Sequence, residues 1–103
     1  MVDRVEYVLP LNINGRSLRR VLIDQHYLLK HAKSIDDQLI LELVKKLNHR
    51  SFRIQSESGG FQYFAVQPVS HETKHYRLVL VLCIAGDYLG VINAFRIKKR
   101  PKL

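Results

Sequence analysis

The sequence predicts an α+β fold, with an N-terminal hairpin and two helices packed on a curved antiparallel β-meander. Three observations predict it: two-residue alternation near the start, a helical apolar stripe in the middle, and strand patterns broken by turn signals after Asn48. A chain of 103 residues with 47% hydrophobic composition has room for one core, so 1–103 reads as a single domain. Residues 1–4 and 99–103 are expected to fray.

Over 5–13 the odd positions Val5, Tyr7, Leu9, Leu11 and Ile13 are apolar, which is the period of a half-buried strand. Asn14 and Gly15 supply the positive φ angles of a tight hairpin turn. The partner strand over 16–23 carries Arg16, Arg19 and Arg20, and so has a wet, basic face. Asp24 is placed to cap a short helix over 25–33. At about 100° per residue, Leu28, Leu29 and Ala32 share one side of it. His26, Tyr27, Lys30 and His31 fan across the opposite arc. Ser34 then opens a longer helix, with Asp37 in a capping-box-like position. Its buried stripe is Ile35, Leu39, Ile40, Leu43, Val44 and Leu47, and Lys45 and Lys46 complement its C-terminal end.

Strands are expected at 51–55, 61–68, 75–84 and 88–98, separated by Ser58-Gly59-Gly60, the segment 70–74 and Gly86-Asp87. LVLVLCI and LGVINAF are apolar on both faces and belong at the sheet centre, one face under the long helix.

Seventeen Lys and Arg against nine Asp and Glu give a formal charge of +8, a field that attracts polyanions. Part of it sits in Arg96, Lys98, Lys99, Arg100 and Lys102. Cys83 is the only cysteine and lies in an apolar run, so an intramolecular disulfide is excluded and a small core residue is expected. The run RLVLVLCI is too short to span a bilayer as a helix, and MVDRVEYVLPL has no signal-peptide pattern. A cytoplasmic site of action is expected, although a domain excised from a larger secreted protein would read the same.

Five histidines invite a metal, but His26 and His31 stand about 140° apart on a helix and cannot share one ion. His71 and His75 flank a loop with Lys74 beside them, and neither CxxC nor HExxH occurs. No glycine-rich phosphate loop, dinucleotide fingerprint or nucleophile elbow is present, so no cofactor is expected. What remains is metal-free RNA cleavage, which needs a base for the 2′-hydroxyl, an acid for the leaving oxygen and cations around the phosphate. His26 and Lys30 lie one helical turn apart and can meet one phosphate, whereas His31 joins them only if the helix breaks. His75 and Arg77 share one strand face, while Asn93 and Arg96 lie on opposite faces of the next strand. The register that would bring one of them to the helix is not fixed by sequence. Tyr27, Arg77, His75 and Lys98 are the candidate substrate contacts.

The helical HYLLKHAKSIDDQLILELVKKL, followed by YRLVLVL and GVINAFRIKK, resembles the small nucleases that unite barnase, EndoU, the tRNase colicins and RelE, the BECR group. The likeness covers roughly 23–98 and is greatest to the phage- and polymorphic-toxin branches. It implies helices on a curved antiparallel sheet and a metal-independent ribonuclease, often acting on tRNA, restrained by an acidic immunity protein or antitoxin. Carried over position by position, the helix histidine corresponds to His26 or His31, the helix lysine to Lys30, and the final-strand polar and basic residues to Asn93 and Arg96. Members often have Ser or Thr where this chain has Asn93, and an amide can bind a phosphate oxygen but cannot shuttle a proton. A non-enzymatic nucleic-acid-binding module is the alternative, in which Phe61, Tyr63 and Phe64 stack bases. A basic face for an acidic protein partner is a third reading.

Overall fold

The computed structural model describes residues 3–98. Lys99, Arg100 and Lys102, and the fraying expected at 1–2 and 99–103, lie outside the described residues. At Asp3 and Arg4 the expectation of fraying is corrected: Arg4 pairs with Asp24, and the Asp3 carbonyl accepts from the Gln25 N–H at 2.9 Å.

The architecture is α+β. Strands β1 (Arg4–Ile13) and β2 (Arg16–Asp24) form an antiparallel hairpin, and Asn14 and Gly15 turn it with φ of 55° and 74°. A 3₁₀ turn at Gln25–Tyr27 leads into α1 (Leu28–His31), and α2 (Asp37–Lys45) follows. Then come β3 (Ser56–Ser58), β4 (Phe61–His71), β5 (Lys74–Cys83) and β6 (Tyr88–Ile97). The six strands lie in the order β1-β2-β6-β5-β4-β3. β3 to β6 pair antiparallel in chain order, but β2 pairs β6 in parallel through Arg20↔Tyr88 to Ile23↔Val91. The expected wholly antiparallel sheet is therefore corrected to a mixed one. The physical reason is the long connection from β2, which carries the chain through the helices to the far edge, so that β6 returns alongside β2.

Alternation then sorts the side chains. Tyr76, Leu78, Leu80 and Leu82 of β5 are buried with Phe64, Val66 and Val69 of β4 and Val21 and Ile23 of β2. Ile40, Leu43 and Val44 of α2, with Ile35 and Leu47 beside it, complete this core. The other, more open sheet face carries the alternate residues of β5, with His75, Arg77, Val79 and Val81 half-buried. Pro10 falls within the register shift of edge strand β1, where no ladder hydrogen bond is forfeited.

Three further expectations are corrected. Residues 51–55 form no strand: Phe52 and Ile54 pack against the core, Phe52 stacking on Phe64, and pairing begins only at Ser56. The second helix is capped by Asp36, whose side chain accepts from the Leu39 N–H at 2.8 Å, rather than opened at Ser34. Cys83 is half-buried, not core.

Candidate functional site

The histidine segment begins as the sequence suggests, with the Asp24 carboxylate accepting from the His26 N–H at 2.9 Å. It does not continue as one helix. The tighter 3₁₀ turn at Gln25–Tyr27 gives way to a single α turn, which changes where each side chain points. Tyr27 is turned inward and is 2% exposed, whereas Leu28 and Leu29 are 42% and 74% exposed. Tyr27 as a substrate contact is therefore corrected.

Its hydroxyl donates to Asp37 Oδ1 at 2.6 Å, and the Tyr7 hydroxyl donates to Oδ2 at 2.6 Å. Gln25 Nε2 reaches both oxygens at 3.2 Å. Burial pushes the Tyr27 phenol far above its ordinary range, and the Asp37 carboxylate adds to it. Tyr7 is raised by the same carboxylate first and by burial second. Asp37 thus ties the first strand, the 3₁₀ turn and the start of α2 to one anionic acceptor.

With Tyr27 locked inward, His31 is presented to the open sheet face. Its ring stacks on Phe95 of β6, with centroids 5.5 Å apart and planes at 26°. The register settles which strand residues accompany it. Phe95 pairs with Arg77, Asn93 with Val79 and Ile97 with His75, so these side chains share the open face. Arg96 pairs with Tyr76, whose ring is in the core, and so stands on the opposite face at the sheet end. The register puts Arg77, Asn93 and His75 on the face of Phe95, the ring on which His31 stacks, and leaves out Arg96. Lys98 lies just past the strand end, exposed. His26 and Lys30 are also exposed.

Each of the three polar groups on the strands is held. Arg77 Nη1 donates to Gln67 Oε1 at 2.7 Å, and His75 Nδ1 lies 2.9 Å from Ser70 Oγ. Asn93 Oδ1 accepts from the Ala94 N–H at 2.9 Å, which leaves its amide N–H groups free to donate outward. Such a set can grip a phosphate and move a proton. Among the described residues, no group of three or more His, Cys, Asp or Glu could hold a metal ion. No helix there is long and apolar enough to cross a membrane.

Compared with protein-family models, curated proteins and solved structures, the chain matches none.

Sequence reasoning missed a groove farther along the same face. It encloses about 370 Å³, with Phe61, Tyr63 and Tyr88 among its walls and Arg4 and Asp24 at its polar end. The three aromatics read together in the sequence are split by alternation: Phe61 and Tyr63 line the groove, while Phe64 is buried. The signal that could have found it is Gly90, a glycine inside an apolar central strand. A Cβ on Gly90 would stand 2.6 Å from Val81 Cγ1, so only glycine permits this close approach. Burial raises the Tyr88 phenol, with the Cys83 thiol adding to it. The Arg20 guanidinium lies 5.5 Å from the Tyr88 ring centroid and is itself fixed by Asp87 at 2.9 Å and Glu6 at 2.8 Å.

Proposed function

We propose that the protein is a metal-independent endoribonuclease toxin of the BECR type, working on the open sheet face. The observation that carries this reading is His31 stacked on Phe95, directly across from Arg77, in a chain of net charge +8. In the reaction His31 takes the proton of a ribose 2′-hydroxyl as the 2′-oxygen attacks phosphorus. The bond from phosphorus to the 5′-oxygen breaks, and His75 gives that oxygen its proton. A 2′,3′-cyclic phosphate remains. Arg77 and the Asn93 amide stabilise the charge on the phosphorane, and His26 and Lys30 steer the flanking phosphates. Histidine suits both proton roles because its ordinary pKa lies near 6.5. Arg96 and Lys98 serve the long-range field only.

The resemblance to BECR nucleases supplies the rest of the reading: a curved sheet, a cytoplasmic RNA target such as tRNA, and an acidic immunity protein or antitoxin that covers the basic face. The test is incubation of the purified protein with total RNA in EDTA, with the ends of the fragments identified. Cleavage to cyclic phosphates that falls by 10²-fold or more in His31→Ala supports the reading. Intact RNA at high protein concentration overturns it.

The aromatic groove favours a second reading, a non-enzymatic RNA-binding module. That reading requires salt-sensitive binding without cleavage, and losses spread over many Lys and Arg substitutions.

A further inference from the structure

The groove of Phe61, Tyr63 and Tyr88 is unused by the proposed chemistry, and its construction points to a ligand. Its floor is a row of cross-strand neighbours, Tyr63↔Val81↔Gly90↔Leu22, in which Gly90 adds no side chain and Val81 packs down onto it. A Cβ there would press on Val81 and come 3.9 Å from the Tyr88 ring. The Tyr88 ring also lies close against Gly86, where an added Cβ would meet its Cε1 at 3.0 Å. The space is therefore floored by glycine and valine and walled by aromatic rings already fixed by packing. A flat aromatic ligand suits such a space.

Its polar end carries both signs. Arg4 and Asp24 are cross-strand partners and both line the groove, yet they do not form one of the ion pairs among the described residues. A guanidinium and a carboxylate side by side, neither satisfied by the other, offer a donor for phosphate or carbonyl oxygen and an acceptor for an amino group. One Asp24 oxygen accepts from the His26 N–H. The carboxylate is thereby oriented with acceptor capacity to spare.

We propose that this groove is a nucleobase subsite: it holds one unpaired base of an RNA strand, stacked against Tyr63 and Tyr88, with its exocyclic amino group donated to Asp24. A carboxylate attracts the amino groups of adenine, cytosine and guanine and repels the two carbonyls of uracil, so the subsite disfavours uracil. The inference deepens the RNA reading of the open face and rests on it. Ile92 of the groove and Phe95 under His31 are three residues apart on β6, roughly 10 Å at strand rise. A strand with a base in the groove lays a neighbouring phosphate over Arg77 and His31.

The experiment uses the full chain and 2′-O-methyl oligonucleotides, which cannot be cleaved through the 2′-oxygen, so binding is read apart from catalysis. Affinities for ten-residue adenylate, cytidylate and uridylate strands are measured by fluorescence anisotropy in EDTA. Wild type is expected to bind the adenylate and cytidylate strands more tightly than uridylate. Tyr63→Ala should weaken adenylate binding by about 10-fold or more, the usual worth of one stacked base. Asp24→Asn keeps a side chain that caps a helix as well as Asp does. It should retain adenylate binding within a few-fold while uridylate rises to meet it. Thermal unfolding of each variant identifies any that fail to fold, and Tyr63→Phe, which keeps the ring, should restore affinity. Wild-type strength in Tyr63→Ala, or no base preference that responds to Asp24→Asn, overturns the subsite, even if RNA is cleaved. Selective binding without cleavage of ordinary RNA sustains the subsite and overturns the ribonuclease reading instead.

Discussion

Replacing Asp37 by Asn tests the hub that aims the histidine segment. The two side chains have nearly the same shape, so the change removes charge and one acceptor without opening a cavity. In the native protein the carboxylate accepts from two phenols, each at 2.6 Å, and from Gln25. Hydrogen bonds to a charged group contribute about 1.5–3 kcal/mol and neutral ones about 0.5–1.5 kcal/mol, so each phenol bond loses about 1 kcal/mol on neutralisation. The amide can accept on one side only, so one tyrosine must turn its hydroxyl from donor to acceptor. The expected loss is about 2 kcal/mol, or a fall in Tm of about 8–16 °C for a domain of this size. Urea and thermal unfolding followed by circular dichroism measure it. Tyr27→Phe alone should cost about 1.5–3 kcal/mol, and in the Asp37→Asn background less, because the two changes share one interaction. A stability for Asp37→Asn within about 0.5 kcal/mol of wild type would refute the argument that this carboxylate organises the segment.

Alkali gives a second check on the same hub. The folded pKa of Tyr27 lies above its unfolded value near 10, so the native state holds its proton longer than the unfolded chain. That stabilisation is complete below pH 10 and is lost as pH rises through the folded value, so stability measured by urea titration should decline from about pH 10 upward. On the open face, Arg77→Ala should depress RNA cleavage strongly and Arg96→Ala weakly, since register puts them on opposite faces; equal losses in matched assays would contradict the assignment. Arg16→Met should lower stability by about 1–3 kcal/mol in chemical denaturation, because Nη2 donates to the carbonyls of Cys83, Ile84 and Gly86 at 2.8, 2.9 and 3.0 Å. Leu80→Ala, at a fully buried centre, should cost about 2–5 kcal/mol by the same measurement.

Elements whose pattern is local were legible in the sequence. The β1–β2 hairpin follows from alternation and Asn14-Gly15, and the α2 stripe from Ile40, Leu43 and Val44. The central place of β5 and β6 follows from their two-sided apolarity. What was not legible depends on partners far along the chain. The parallel pairing of β2 with β6 leaves no mark on either strand alone. Tyr27 resembles its polar neighbours on a helical projection, and only the 3₁₀ turn and the distant Asp37 send it inward. The choice between Asn93 and Arg96 was open until the β5–β6 register was known. His31 looked the less suitable histidine on an ideal helix, yet the broken helix makes it the one that meets the sheet. The groove was hidden because its walls come from five strands that only the sheet order brings together.

The parallel contact between β2 and β6 also sets an order of assembly. Arg20 and Asp87, joined across this seam, are separated by 67 positions. A pairing so distant must await closure of nearly the whole loop, so it belongs late in folding. Phe95 and Asn93 lie on the strand that makes this contact, and of the described strands β6 is the last to be synthesised. Until it docks, His31 has no ring to rest on and no guanidinium opposite, whatever the hairpin and helices have already formed. The chemistry proposed for this face therefore requires β6 to be docked, so completion of the sheet and assembly of the site are one event.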